Sequence, residues 1–246
     1  SFAEAFVVLP SSSIPVAITS LTSLLLLHAS SQYDTMMNEK TKNEFKGKSV
    51  LLTGASSGLG KALALQLAEA QVGTLILSAR RRDALLEVAN QCKAISPGTN
   101  YKILTCNLAD SKSVEHLCQD VGVGSNNNVD ILINNGGVSS RSRFVETSID
   151  VDAKLVQVNY LAGAALAKAV VPKMMENGSG KIIWISSVQG KLGIPNRTSY
   201  AASKFAVQGY CESLRAELAS SGITVHIVSP GYINTNLSQS AITGNG

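Results

Sequence analysis

From residue 46 onward the chain alternates short apolar runs with longer segments whose apolar residues recur every three or four positions. The runs at 49–53, 74–78, 101–106, 129–133, 181–186 and 224–229 are dominated by Val, Ile and Leu without strict polar alternation. That is the pattern of strands buried on both faces. Between them, residues 60–70, 83–94, 111–121, 151–175 and 200–219 carry helical spacing. Strands alternating with helices imply right-handed crossovers, and so a parallel sheet with helices on both faces. The pattern predicts one doubly wound α/β domain over residues 46–246, with no internal repeat.

Residues 1–45 read differently. Residues 5–33 contain no Asp, Glu, Lys or Arg and include the run Leu24-Leu25-Leu26-Leu27. As a helix, residues 5–27 would span about 35 Å, enough for a bilayer, but residues 14–27 alone reach only about 21 Å. Pro10, Ser11, Ser12, Ser13 and Pro15 interrupt the longer run. Three readings stand: a single-pass membrane anchor, a cleaved signal peptide, and an apolar segment packed on the protein. No small-x-small cleavage site follows Leu27, which disfavours the second. Lys40, Lys42, Lys46 and Lys48 follow the segment, whereas Glu4 precedes it. The positive-inside bias then places the bulk of the chain on the cytosolic side. Residues 1–45 are read as anchor and polar linker.

Composition narrows the function classes. The chain has 246 residues, 45% hydrophobic and 15% charged, which supports a sizeable core and argues against disorder. A net charge of +4 without a dense basic block argues against a nucleic-acid partner. Cys92, Cys106, Cys118 and Cys211 form no CxxC pair, and His28, His116 and His226 are scattered. No metal site is expected; the cysteines read as reduced packing residues, and His226, inside a predicted strand, as a core histidine.

The first predicted strand runs into Thr53-Gly54-Ala55-Ser56-Ser57-Gly58-Leu59-Gly60 and then into a helix. Glycines there permit a tight turn and close approach of backbone to a pyrophosphate, which the helix N-terminus favours electrostatically. A plain glycine loop is the competing reading. The second strand ends at Ser78-Ala79-Arg80-Arg81-Arg82, with no carboxylate before Asp83 to accept from a ribose 2′-hydroxyl. Cations at that point favour a 2′-phosphate, hence NADP(H) over NAD(H), with Arg80 and Arg81 as contacts. Otherwise the arginines merely solvate a helix start.

Tyr200 and Lys204 are four apart and share a helix face. A phenol with a pKa of about 10 is a poor base near neutrality, and a neighbouring ammonium lowers that value. Ser187 ends a predicted strand at the carboxyl edge of the sheet, where such folds bind ligands and a hydroxyl can hydrogen-bond a substrate carbonyl. These three form the predicted reactive centre. Taken alone, Tyr-x-x-x-Lys is far more often an ordinary helix surface pair; the flanking motifs reverse that.

The chain resembles the short-chain dehydrogenase/reductase family, a Rossmann-type fold, over residues 46–246. The matching elements are TGASSGLG at 53–60, NNGG at 134–137, VNYLAG around Asn159, Ser187, YAASK at 200–204 and PG at 230–231. The resemblance implies a catalytic set of Asn159, Ser187, Tyr200 and Lys204. In ketone reduction Tyr200 would protonate the alkoxide as hydride arrives from nicotinamide C4. Lys204 would bind the nicotinamide ribose and lower the Tyr200 pKa. Ser187 would polarise the carbonyl, with Gln189 and Tyr200 completing the substrate contacts. Asn159 would hold a water linking Lys204 to solvent. The implied cofactor contacts are Gly54, Ser56, Ser57, Gly58, Leu59, Gly60, Arg80, Arg81, Asn107, Leu108, Asn134, Tyr200, Lys204, Pro230, Gly231, Ile233 and Thr235. Asn134 would buttress the sheet, Pro230 and Gly231 shape the turn over the nicotinamide, and Thr235 approach its carboxamide.

There are departures. Gly136 replaces the alanine of the usual NNAG, a loss of one methyl expected to add flexibility. Asn107 replaces the common aspartate after the third strand, so contact with the adenine amino group loses charge assistance. The family's chain normally continues beyond the PG turn through a substrate-covering segment, a helix and one more strand. Here residues 232–246 follow, so the last strand is expected to be missing and one sheet edge uncovered.

Within the family the resemblance reaches the membrane-anchored dehydrogenase/reductase member 7B group, on VQGKLGIPNRTSYAASK at 188–204, SPGYINTNLS at 229–238 and the apolar N-terminal segment. It implies reduction of a lipid-like ketone, including acyl-dihydroxyacetone phosphate, at the endoplasmic reticulum or peroxisome. Arg141, Lys191 and Arg197 would then be candidate partners for a substrate phosphate, or else solvated loop charges. Apolar stripes on 151–175 and 200–219 fit either a homodimer interface or burial on the sheet. Two functions are carried forward: an NADP(H)-dependent oxidoreductase acting on a carbonyl or secondary alcohol, and a catalytically inactive nucleotide-binding or interaction protein.

Overall fold

The computed structural model describes residues 39–232 and 241–246. The apolar segment 5–27 and the expected cofactor contacts Ile233 and Thr235 lie outside the described residues. Six parallel strands form one sheet: β1 Ser49–Thr53, β2 Thr74–Ala79, β3 Asn100–Thr105, β4 Ile131–Asn134, β5 Gly180–Ile185 and β6 Ile223–Val228. Their order is β3-β2-β1-β4-β5-β6, so the crossovers change direction between β1 and β4. This is the doubly wound arrangement expected from the pattern of apolar runs, with its ligand crevice at the switch point. Every strand begins and ends within two residues of its expected bounds.

The helices are α1 Glu39–Phe45, α2 Gly58–Glu69, α3 Arg82–Ile95, α4 Ser111–Val121, α5 Ile149–Val156, α6 Ala162–Glu176 and α7 Thr198–Glu217. Side chains alternate across the sheet and divide the core in two. Val50, Leu52, Leu75, Leu77, Ile131 and Ile133 face one layer with Leu63 and Leu67 of α2 and Leu85 and Val88 of α3. Leu51, Ile76, Leu132, Ile182 and Trp184 face the other, with Leu117 of α4, Leu166 and Val170 of α6, and Val207 of α7. Each such side chain contributes about 1.5–3 kcal/mol by leaving water. Phe45, at the end of α1, is also fully buried in the first layer.

The single helix expected over 151–175 is interrupted. Between α5 and α6, residues Gln157–Leu161 form a π turn in which the Ala162 N–H reaches back five residues to the Gln157 carbonyl. Such turns concentrate at functional sites, and this one carries Asn159. The run Ile149–Glu176 is the one helical stretch among the described residues long and apolar enough to cross a bilayer, and half of it is buried within the protein. Packing against the sheet accounts for its apolarity.

The remaining packing residues behave as their positions suggested. Cys92, Cys106 and Cys211 are buried and Cys118 half-buried, all as free thiols. Burial pushes Cys92 and Cys118 up to about 11 and Cys211 up to about 12, which leaves them unreactive. His226 is buried with its Nε2 3.0 Å from Thr224 Oγ1, and burial first, then Lys181 and Arg215, pushes its pKa down to about 4.

Gly163 opens α6 against Trp184 and accepts from Asn134 Nδ2 at 3.2 Å. A Cβ there would lie 2.5 Å from Trp184 Cζ2 and 3.0 Å from Asn134 Nδ2. The indole is walled in by the core, so overpacking, at about 1–3 kcal/mol, exceeds the helix preference for Ala of about 1 kcal/mol. Gly163→Ala is expected to lower the urea midpoint with an unchanged m value; a raised midpoint would show that Trp184 can move aside.

Candidate active site

The glycine turn after β1 is held by two side chains that span the switch point. Thr53 Oγ1 accepts from the backbone N–H of Asn135 at 3.0 Å and of Gly136 at 2.9 Å. Asn135 Nδ2 returns a bond to the Thr53 carbonyl at 2.9 Å. Gly54 and Gly58 adopt positive φ, +66° and +53°, which L side chains rarely adopt. A Cβ on Gly54 would meet Gly136 Cα at 2.7 Å, and one on Gly60 would meet the Gly54 carbonyl oxygen at 2.1 Å. The turn therefore lies directly on the end of β4. Ser57 caps α2 without an intrahelical side-chain bond, so its hydroxyl and the first-turn N–H groups face outward. That donor set suits a phosphate. Gly136, read as a lost methyl, has its space filled: a Cβ would fall 2.5 Å from Leu108 Cδ1.

Beyond β2, Arg80, Arg81 and Arg82 are exposed and form no ion pair among the described residues. Asn107, after β3, is exposed, with its carboxamide oxygen accepting from Ala109 N at 3.2 Å. Asn134 is buried with its Oδ1 unpaired, lining a small cavity shared with Thr53, Asn159 and Trp184. The turn after β6 is tied to the segment after β5, where the Pro230 carbonyl accepts from Val188 N at 3.0 Å.

The π turn aims Asn159 at the segment after β4. Its Oδ1 accepts from Val138 N at 2.8 Å, and its Nδ2 donates to the Val138 carbonyl and to Ser203 Oγ, each at 2.9 Å. Ser203 Oγ in turn donates to the Tyr200 carbonyl at 2.8 Å. Both ends of the carboxamide are thus engaged with protein, and Asn159 locks Val138 to α7. Its Oδ1 keeps a second lone pair beyond the bond from Val138.

Ser187, Tyr200 and Lys204 converge at the carboxyl edge, all buried. Ser187 Oγ accepts from Gln189 N at 3.2 Å. Lys204 Nζ lies 5.7 Å from the Tyr200 ring centre and donates to the Ile185 carbonyl at 3.0 Å. Burial pushes Lys204 down to about 8. Burial also raises the Tyr200 phenol above its ordinary value, opposed by hydrogen bonding with Ser187 and by the Arg197 charge. Desolvation is the largest influence on the phenol, and the cation that acts against it is Arg197.

Of the three cations considered for a substrate phosphate, Arg141 is exposed and Lys191, also exposed, lies 3.8 Å from Glu212. Arg197 turns inward, donating from one guanidinium nitrogen to Ser139 Oγ and, at 2.9 Å, to the Ser140 carbonyl. Arg141 is close enough for its charge to act on Arg197, whose own guanidinium is engaged with Ser139 and Ser140. Asn135, Ser139 and Ser203 were not singled out from the sequence. Asn135 and Ser203 sit inside quoted motifs, and Ser139 carries no local signal at all.

The family model described as short chain dehydrogenase matches residues 48–245. The Drosophila melanogaster protein named dehydrogenase/reductase SDR family protein 7-like is 47% identical over 210 residues, covering 85% of this chain and 64% of its own length. The Mus musculus dehydrogenase/reductase SDR family member 7B is 39% identical over 209 residues, covering 84% and 64%. The chain thus spans less than two thirds of the length of either relative. Among solved structures, a putative NAD(P)-dependent gluconate 5-dehydrogenase from Beutenbergia cavernae with NADP bound at low occupancy superposes with a TM-score of 0.74 at 30% identity, over 79% of this chain and 76% of that one. A Sphingobium yanoikuyae short-chain dehydrogenase in complex with NADPH gives 0.73 at 31% identity, over 78% and 73%. Sequence relationship through nearly the whole described domain, and a switch-point site with the family's motifs in place, put this chain in the short-chain dehydrogenase/reductase family.

Proposed function

We propose that the protein is an NADP(H)-dependent oxidoreductase that interconverts a ketone and a secondary alcohol at Tyr200. The observation that carries this reading is the convergence of Ser187, Tyr200 and Lys204 in a buried cluster beside the glycine turn. A nicotinamide dinucleotide, when bound, supplies or accepts the hydride. The chain's residues do the rest. Ser57 and the first turn of α2 hold phosphate, and the exposed Arg80 and Arg81 favour a 2′-phosphate over a bare ribose. Lys204, with one N–H on the Ile185 carbonyl, keeps its other donors for ribose hydroxyls. Ser187 orients the substrate oxygen, and the Tyr200 hydroxyl delivers or takes the proton there. The NADP and NADPH carried by the two solved relatives support this choice of nucleotide.

The mouth of the site supports an apolar substrate. Phe144, Val145 and Ile149 after β4, Val188, Leu192 and Ile194 after β5, and Tyr232 after β6 are all exposed large hydrophobic residues. They belong to the segments that leave the carboxyl edge, and such a rim suits a lipid-like ketone. Residues 5–27 are proposed as the membrane-holding segment, which would keep the enzyme near such substrates.

Fluorescence titration with NADPH and NADH tests the nucleotide assignment. Arg80→Glu is expected to weaken NADPH about 10–100-fold, the worth of one charge-assisted bond, and to leave NADH nearly unchanged. Equal loss for both nucleotides would remove the 2′-phosphate contact. Tyr200→Phe is expected to bind NADPH normally and to lower ketone turnover by about 10²–10⁴-fold; full turnover in that variant would sink the proton-transfer role.

Burying Lys204 has a stability cost with a defined pH window. Its folded pKa, about 8, lies below the ordinary lysine value of 10.5, so the unfolded chain holds the extra proton between those limits. The penalty is present in full below pH 8 and is relieved as pH rises above it. Lys204→Met is therefore expected to unfold later than the parent at pH 7, by on the order of 1 kcal/mol, and to lose that advantage toward pH 10. Denaturation curves at both pH values measure it, and a variant less stable than the parent at pH 7 would contradict the burial cost.

A further inference from the structure

We propose that Arg197 is a positioning residue for Tyr200: a permanent buried cation that stabilises the phenolate form and holds the ring in place. The inference rests on the reading of Tyr200 as the proton-transfer group. Arg197 precedes the first residue of α7 and stands three residues before Tyr200, with its guanidinium carbon 5.8 Å from the centre of the tyrosine ring. Its exposure is 8%. An arginine this buried is normally matched by a carboxylate. Here no ion pair of Arg197 is found among the described residues, and its bonds go to the neutral Ser139 Oγ and Ser140 carbonyl. Among the described residues the positive charge thus has no carboxylate partner, and it lies against the face of Tyr200, the group that becomes an anion when it gives up its proton.

The surroundings strengthen that coupling. Tyr200 packs with Val138, Val151, Leu155 and Ile242, apolar side chains that keep the local dielectric low. Helix α5 turns Val151 and Leu155 toward it, while Asp150 and Lys154 are exposed and Asp152 half-buried. The segment after β5 contributes Ser187, and its Lys191 is exposed beside Glu212. The segment after β4 contributes Arg141, close enough to act on Arg197 itself. The cations against the phenol are therefore Arg197 and Lys204. They differ in kind: burial pushes Lys204 down to about 8, so it gives up its charge above that pH, whereas a guanidinium keeps its own. The charge of Arg197 works against the burial that raises the phenol pKa.

The same guanidinium fixes the wall in front of the ring. Ser139 and Ser140, which it holds, also receive the segment 241–246: Ile242 N donates to the Ser139 carbonyl at 2.7 Å, and Arg141 N donates to the Ile242 carbonyl at 3.0 Å. Structural and electrostatic roles must therefore be separated. Arg197→Gln keeps an N–H donor and removes the charge; Arg197→Lys keeps the charge and loses the planar fork.

The test is a pH titration of the full chain labelled with 13C at the tyrosine Cζ, read by NMR, with Tyr200→Phe identifying one signal among six tyrosines. The Tyr200 signal is expected to move at higher pH in Arg197→Gln than in the parent, and in Arg197→Lys to stay nearer the parent. Movement over the same pH range in parent and Arg197→Gln, movement in neither before unfolding, or an equal displacement in Arg197→Lys overturns the proposal. Should Arg197→Gln fail to fold, Arg197→Met, which fills the space without a donor, takes its place. Neither substrate nor nucleotide is needed, so this outcome is independent of the turnover of Tyr200→Phe, which decides the underlying reading.

Discussion

The hydroxyl of Thr53 accepts two backbone N–H bonds from Asn135 and Gly136, just past the end of β4, and the geometry of the site depends on that contact. At the switch point the connections from β1 and β4 leave in opposite directions, and the parallel ladder between the two strands stops at Leu52 and Ile133, so other bonds must join the ends beyond it. Thr53 and Asn135 do so with side chains. They bring the glycine turn within contact of Gly136, which gives the nucleotide crevice its floor. From that floor, β4 leads to Val138, Val138 is locked to Asn159, and Asn159 is locked through Ser203 to the Tyr200 carbonyl. The crevice and Tyr200 are thus joined by one path of backbone and hydrogen bonds.

The site is also electrostatically one-sided. Lys204, Arg197 and the arginines after β2 supply positive charge, and no carboxylate pairs with any of them among the described residues. Burial works against charge on both Tyr200 and Lys204. A protein selected for stability alone would replace such groups with hydrocarbon. Buried charge of that kind is concentrated at functional sites.

Much of this was legible in the residues before any fold was seen. Six apolar runs located the strands, because a strand buried on both faces leaves an unbroken hydrophobic signal. The glycine turn and the Tyr200–Lys204 spacing were legible because they are local. The π turn was hidden: one extra residue in a long helix scarcely disturbs apolar periodicity. The inward course of Arg197 was hidden too, since its partners Ser139 and Ser140 lie far away in sequence. The dominance of desolvation at Tyr200 was hidden for a related reason. An i,i+4 spacing reports which charge is near but says nothing of how much water has been removed.

The π turn has one more consequence, for how this scaffold can change. In a regular helix, losing one residue rotates everything downstream by about 100° and tears it from its packing. Residues 157–161 already contain the surplus residue, so a deletion there would restore ordinary i→i−4 bonding, leaving α5 and α6 seated on the sheet. What would be lost is the aim of Asn159 at Val138. A single codon can therefore separate a fold that persists from a site that does not.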